Sequence, residues 1–462
     1  MSGSPASKGS SEDERIGAAG FSPIYRQYVI SLLLIAYVFN FLDRQIVNIL
    51  AEPIKRDLDL ADWQIGLMGG LAFSILYSVI GLPIARLADR GNRPLIIAVA
   101  ISIWSVFTVL CGLAQNFVQL VAARIGVGVG EAGCTPPAHS LIVDYAPPEK
   151  RSSALAIYGM GPAIGGLLGM SMGGLIADAY GWRVAFFIAG GPGLLIGLLI
   201  AITLKEPRRQ IARDELAIKS QQSTLKSTLR HLAAMPTFWF LASGNSIKSL
   251  ISMGKAVFIA SFFLRSRGDQ VDVAASRLSD FLGMSIGPIG FLGIILGLIF
   301  GVFGALGVWT GGYLSDRFGN ADPRRYMYIA ALAGILTVPT IVGALFIPSL
   351  GVGLTLLAGY AFFGGFSYAP TYTVAFSLVP SDMRATTSAI MLFLTNLIGL
   401  GLGPLIVGII SDLFSINYGE AEGLRYSLIA VSSIGIIAGI LYILGSRTIL
   451  RDLDRYGRNY NA

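Results

Sequence analysis

The chain has 462 residues, 54% hydrophobic and only 13% charged, with 57 glycines, a formal net charge of +7 and a mean hydropathy of +0.67. Ordinary soluble domains carry roughly 25% charged residues, so this composition excludes one and predicts an all-α polytopic membrane protein. The glycines fit that class, because helices in lipid associate through small residues that let backbones approach.

Residues 1–24 are rich in Ser, Gly, Asp and Glu and have no apolar core next to a cleavage site, so they read as a disordered cytoplasmic tail and not a signal peptide. Apolar stretches of spanning length follow at 27–50, 64–87, 94–114, 117–144, 152–177, 184–204, 237–264, 288–313, 326–347, 351–378, 385–411 and 425–446, predicting twelve transmembrane helices. A basic segment splits them six and six. The expected organisation is an N-terminal six-helix bundle (25–204), a basic cytoplasmic linker (205–235), a C-terminal six-helix bundle (236–447) and a tail (448–462). Of the 34 Lys and Arg, 23 fall on the side holding the tails and linker, seven on the other side and four within spans. The positive-inside rule then places both termini in the cytoplasm, with the bacterial inner (plasma) membrane the expected location. The basic charge reflects loop topology, and no soluble domain carries a patch for nucleic acid.

The first span carries Asp43 and Arg44 in an otherwise apolar run. A charge at membrane depth costs ~2.5–3.5 kcal/mol even on lenient scales, so these groups must face protein or a wet cavity. In the fourth span Arg124, Gly128, Glu131 and Thr135 share one face, while Gly126, Gly130 and Gly133 form a smooth opposite face suited to packing. Asp43, Arg44, Arg124 and Glu131 are therefore candidates for substrate or proton handling; a structural network between the first and fourth helices is the alternative. Glu131 is the first candidate proton carrier, because a carboxyl whose distance to an arginine changes between states can take up and release a proton. Asp43 is second, with its neighbour Arg44 available to hold it ionised.

The seventh span adds a stripe of Asn245, Lys248, Ser252 and Lys255 with no carboxylate deep in the second half to neutralise it. The intramembrane cations outnumber the acids, so the cavity should prefer an anion; lysines snorkelling to an interface is the competing account. Aromatics of the tenth span, Tyr368 and Tyr372 among them, are candidates for an apolar wall. Cys111 and Cys134 read as small core residues. Gly128 to Gly133 fits a dinucleotide fingerprint, but it lies in a membrane helix with no strand before it, and the Gly-x-Ser-x-Gly matches have no credible triad. No enzyme, cofactor or metal is expected, and no ATPase-type phosphate loop occurs, so energy would come from an ion gradient.

The halves repeat each other. Leu87 to Arg90 returns as Leu314 to Arg317, Pro147 to Arg151 as Pro380 to Arg384, Gly174 to Asp178 as Gly408 to Asp412, and Gly181 to Arg183 as Gly423 to Arg425, at offsets drifting upward from 227 to 242. A duplicated six-helix unit predicts a substrate site near the midplane between the halves and transport by rocking one half against the other.

At these residues the chain resembles the major facilitator superfamily. Ala85 to Arg93 is similar to the superfamily's loop between helices two and three, departing from it at Ala85 and Asn92, while Gly312 to Gly319 matches the pattern fully. The resemblance implies a conformational latch at Asp89, Arg90, Arg93, Asp316 and Arg317. Asn40-Phe41-Leu42-Asp43-Arg44, Leu87 to Arg93 and Arg124 to Ala132 resemble the spinster-like group of lysolipid and sphingosine-phosphate transporters. That implies alternating-access transport of an amphipathic anionic small molecule or lysolipid, with protons and membrane lipids as further partners and a monomer as the working unit. Small organic or aromatic anions, hydrophobic drugs, and a receptor or scaffold without transport are the alternatives carried forward.

Overall fold

The structure, a computed structural model, describes residues 21–147, 150–207, 225–319, 321–380 and 383–454. Most of both expected tails and of the linker lies outside these. Among the described residues there are no strands, and eleven helical stretches are long and apolar enough to cross a membrane. The last of them, Thr386–Asp454, holds two crossings divided at Gly419, whose φ of 78° a side chain would resist. The expected twelve are thus present: α1 (Pro23–Leu58), α2 (62–90), α3 (Arg93–Leu113), α4 (Phe117–Tyr145), α5 (151–180), α6 (Trp182–Thr203), α7 (236–266), α8 (Pro288–Gly319), α9 (Arg324–Phe346), α10 (Leu350–Ser377), α11 (384–418) and α12 (420–454). The end that holds the linker is called the linker end below, and the opposite one the far end.

Local chemistry starts the helices. Ser22 Oγ accepts from Tyr25 N at 3.3 Å ahead of Pro23 at the first turn of α1, and Asn92 and Asn116 cap α3 and α4 at 3.3 and 3.0 Å. The smooth face of α4 packs as its glycines predict: a Cβ on Gly126, Gly130 or Gly133 would strike Phe107, Trp104 or Ala100, all on α3. The glycine row of α5 behaves differently. Gly161, Gly165, Gly169 and Gly173 face Tyr37, Leu42 and Ile46 of α1 in the same half, whereas contact with α8 runs through Gly174, Gly290 and Gly293.

Six apolar helices would pack equally well continuous, yet several are interrupted at matching places in the two halves. A π-helical turn at Leu67–Leu71 in α2 returns at Ile299–Phe303 in α8, 232 residues later and inside the range of offsets of the sequence repeat. The fourth helix of each half is broken too, α4 after Glu131 and α10 at Phe366–Ser367. Such interruptions free backbone groups and recur at functional sites.

One helix exceeds expectation. After α7 the chain kinks at Arg267 (φ −143°) and runs on as a helix over 268–282, where hydropathy alone indicates only a loop. Arg267 Nη2 donates to the carbonyls of Ala344 (2.8 Å) and Leu345 (3.3 Å) at the end of α9, and Gln270 Oε1 accepts from Leu350 N at 2.7 Å. These caps hold a segment whose buried face is only Val271 and Ala275, too thin an apolar stripe to register as a span.

The halves meet at the far end. Asp178 of α5 caps α8, accepting from Ile289 N (3.3 Å) and Gly290 N (2.6 Å). Its counterpart in the sequence repeat, Asp412 of α11, caps α2, accepting from Asp62 N (3.0 Å) and Trp63 N (2.8 Å). Each half therefore stabilises the positive end of a helix belonging to the other. Arg265 adds bonds to Glu52 Oε2 (2.8 Å) and both carboxylate oxygens of Asp62 (2.9 and 2.8 Å), and Lys55 reaches Asp62 (3.0 Å) and Glu420 (3.2 Å). The hydrogen bonds and ion pairs just named between the halves all sit at this end.

Candidate functional site

In the N-terminal half the four candidate charges converge, with pairings crossed relative to expectation. Arg44 Nε donates to Glu131 Oε2 at 2.5 Å, and Arg124 Nη1 lies 3.6 Å from Asp43 Oδ2. By sequence alone, Asp43 adjoins Arg44 and Glu131 shares a helix face with Arg124. Adjacent helical residues point about 100° apart and a seven-residue separation spans about 10.5 Å of axis, so neither of those pairs can close within one helix, whereas both can close between α1 and α4. Arg44 also lies over the rings of Phe41, Phe73 and Tyr77, 4.6–5.1 Å from their centroids, and Arg124 over Phe73 at 5.4 Å. A cation on an aromatic face offsets part of the cost of desolvation. Asp43, Arg124 and Glu131 are at most 2% exposed, while the side chain of Arg44 keeps 17%.

This cluster is charge-balanced but short of hydrogen bonds. Both oxygens of Asp43, both amide atoms of Asn40, Nε and Nη1 of Arg124, Oε1 of Glu131 and Oγ1 of Thr108 make none. Buried polar atoms are normally satisfied, so a group of orphans at the break in α4 is capacity for a proton, a water or a ligand.

In the C-terminal half the stripe on α7 divides. Asn245 donates to Thr395 Oγ1 of α11 at 2.9 Å. Neither lysine snorkels. Lys255, 3% exposed, reaches Ser432 Oγ of α12 at 3.2 Å and lies 4.0 Å from the centroid of the Tyr360 ring. Lys248 donates to Gly364 O of α10 at 3.2 Å and to Ser367 Oγ, both beside the break in that helix. The two ammonium groups border a cavity of about 280 Å³ within the C-terminal bundle, lined by α7, α8, α9, α10 and α12. Among the described residues no carboxylate pairs with either lysine.

Tyr368 and Tyr372 lie beyond the α10 break, their rings 5.1 Å apart, and do not border this cavity; Tyr368 is exposed. Tyr360, six residues before that break, takes the place expected of them. Of the latch residues, Arg93 is buried and braces its own half, bonding Asp144 Oδ2 (2.6 Å), Ser140 Oγ (2.9 Å) and the carboxylate of Glu206. Arg317 reaches Tyr313 OH at 3.1 Å in its own helix, and Asp316 lies beside it on α8. The side chains of Asp89 and Arg90 lie outside those described. The far-end residues Glu52, Asp62, Asp178, Arg265 and Asp412 did not stand out as a site in the sequence; the carboxylates at matching positions of the repeat, Asp178 and Asp412, were the available signal.

The profile of the Major Facilitator Superfamily matches residues 33–404. The chain belongs to this superfamily. Its relatives include an MFS-type efflux pump of Mycolicibacterium smegmatis, 31% identical over 93% of this chain and 94% of that protein. A hexuronate transporter of Bacillus subtilis is 26% identical over 90% and 95%, and spinster homolog 1 of Xenopus tropicalis is 26% identical over 93% and 83%. Among solved structures, a bacterial homologue of the human lysosomal transporter Spinster, in an inward-facing and unoccupied conformation, superposes with a TM-score of 0.83 at 31% identity, covering 94% of this chain and 99% of that one. The chain is thus a spinster-like transporter of the superfamily and not an enzyme.

Proposed function

We propose that this transporter moves an amphipathic anion of the lysolipid or sphingoid-phosphate class by alternating access, with proton coupling through Glu131. The observation that carries the reading is the combination of halves bonded, among the described residues, at the far end and ionisable groups buried within each half. Orphaned polar atoms around Asp43 and Glu131 supply room for a proton, and the unpaired lysines supply attraction for a negative head group. The names of the spinster relatives support the substrate class. Lys and Arg bias along the chain supports placing the linker end in the cytoplasm, so that the arrangement is inward-facing. In the state closed at the linker end, Asp89 and Asp316 are proposed to engage as latches with Arg90, Arg93 and Arg317.

For coupling, the Arg44 contact to Glu131 must loosen in one state, leaving the carboxyl to be neutralised by a proton. Glu131→Gln mimics that neutral form. In proteoliposomes with an imposed pH gradient it is expected to abolish gradient-driven accumulation while downhill exchange continues. Wild-type transport indifferent to the gradient would sink the coupling. A second reading, a small organic anion as substrate, is favoured by the modest size of the lysine cavity and by the hexuronate relative. Binding of lysolipids beside uronic and aromatic acids to the purified protein separates the two.

A further inference from the structure

The two cation pairs of this protein sit in comparable places and are treated differently. Arg44 comes from the first helix of its half and meets the break of the fourth at Glu131; Lys248 comes from the first helix of the other half and meets the break of its fourth at Gly364 and Ser367. The N-terminal cations each have a carboxylate. The C-terminal ones have two hydroxyls, a carbonyl and a ring.

We propose that the C-terminal half holds a self-contained oxyanion site, inside its own bundle and not between the halves, with Lys248 and Lys255 as the recognising groups. Four observations carry it. All cavity walls come from α7 to α10 and α12 of one half, and its volume of about 280 Å³ suits a phosphate, a carboxylate head group or a small organic acid, falling just below the usual range for drug-sized ligands. An uncompensated buried ammonium is strongly unfavourable, so an oxyanion that enters the cavity would be held as the counter-charge that keeps both lysines protonated. Each ammonium has three donors; Lys255 spends one on Ser432 and Lys248 two on α10, leaving spare donors for a ligand that only accepts. Ser252, one turn from both lysines on α7, is exposed and borders the same cavity, which gives the site a mouth above a buried floor. The interaction of Lys255 with Tyr360 then serves as the resting partner that an anion would supplement.

This deepens the anion reading above and rests on it only for the site's purpose, since occupancy can be measured without transport. The shared chemistry is an oxyanion, and its source is either a free anion or the head group of the transported amphiphile. Inorganic phosphate titrated into purified full-length protein by calorimetry is expected to bind saturably. Binding should weaken roughly tenfold or more when Lys248→Gln and Lys255→Gln are combined, because both charge-assisted bonds are lost. Gly304→Leu is the companion variant. It fills the cavity from a position where an added Cβ meets nothing within 4 Å, keeps both lysines, and should also abolish binding. Lysophosphatidate that competes with phosphate would assign the site to the substrate head group; phosphate binding unaffected by it would assign the site to a free anion. The inference is overturned if wild type binds neither probe saturably, or if the double variant or Gly304→Leu, melting normally, binds as wild type does. Phosphate binding without any transport of an anion would leave this site standing and remove the proposed substrate.

Discussion

The first and second halves place a cation from their first helix at a break in their fourth, but only the first half answers it with carboxylates. Arg44 and Arg124 are matched by Glu131 and Asp43 across the gap between α1 and α4. Lys248 and Lys255 are met by Gly364, Ser367, Ser432 and Tyr360, all uncharged. Both halves thus set a basic side chain of the first helix against a helix break, and they differ in charge balance. A balanced cluster can exchange a proton internally with little change in field, whereas an unbalanced one asks for a ligand. The difference assigns separate tasks to halves that share one architecture.

The comparison breaks most readily on stability. Asp43→Asn leaves Arg124 buried beside a neutral amide, and losing one member of a buried pair costs ~3–5 kcal/mol, so the variant should express poorly or melt much lower. Lys255→Met removes a buried amine that has no counter-ion among the described residues and should melt at or above the wild-type temperature. Equal losses in both variants would mean that the halves are not electrically different.

A second test concerns backbone approach. Gly130→Ala drives a Cβ to 2.5 Å from Trp104 N, a clash expected to cost ~1–3 kcal/mol, whereas Gly304→Ala in the second half meets nothing within 4 Å. Thermal unfolding of the two in parallel should separate them clearly. Next comes the far end, where Asp178→Ala and Asp412→Ala each remove a cap worth ~0.5–2 kcal/mol. Their combination should shift the population toward far-end opening by about tenfold or more, read by thiol labelling of a cysteine placed near Glu52. Equal shifts from the single variants would sharpen the picture of matched caps; no shift in the double would remove these caps from the gate. The smallest effect is expected at Arg317, whose described bond is to an exposed tyrosine of its own helix. Arg317→Gln should alter stability by less than about 0.5 kcal/mol, with any change appearing in turnover.

Periodicity and composition made the twelve crossings legible, because twenty apolar residues in a row have few other uses. The charged face of α4 and the smooth face opposite it were equally readable, since both follow from 100° per residue. Partner choice was not. A helical wheel places Glu131 and Arg124 on one face but carries nothing about the neighbouring helix, and Arg44 of α1 proved the closer cation. Tyr360 could not be told from Tyr368 by spacing, because the break at Phe366–Ser367 reorients everything after it. The helix at 268–282 was hidden for a related reason: it is held by Arg267 and Gln270 bonding distant carbonyls and amides, interactions that no local pattern encodes.

Helix α7 carries the lysine cavity and the far-end closure on one uninterrupted rod. Ten residues separate Lys255 from Arg265, about 15 Å of helix with no kink before Arg267. Where Arg265 is drawn from Glu52 and Asp62 by a tilt or slide of this rod, Lys255 moves as the other arm of the same lever. Whatever binds at one arm more tightly in one tilt will, by thermodynamic reciprocity, bias what happens at the other. Cargo and gate would then share a single mechanical coordinate, and the strength of their coupling would depend on the stiffness of nearly three turns of helix.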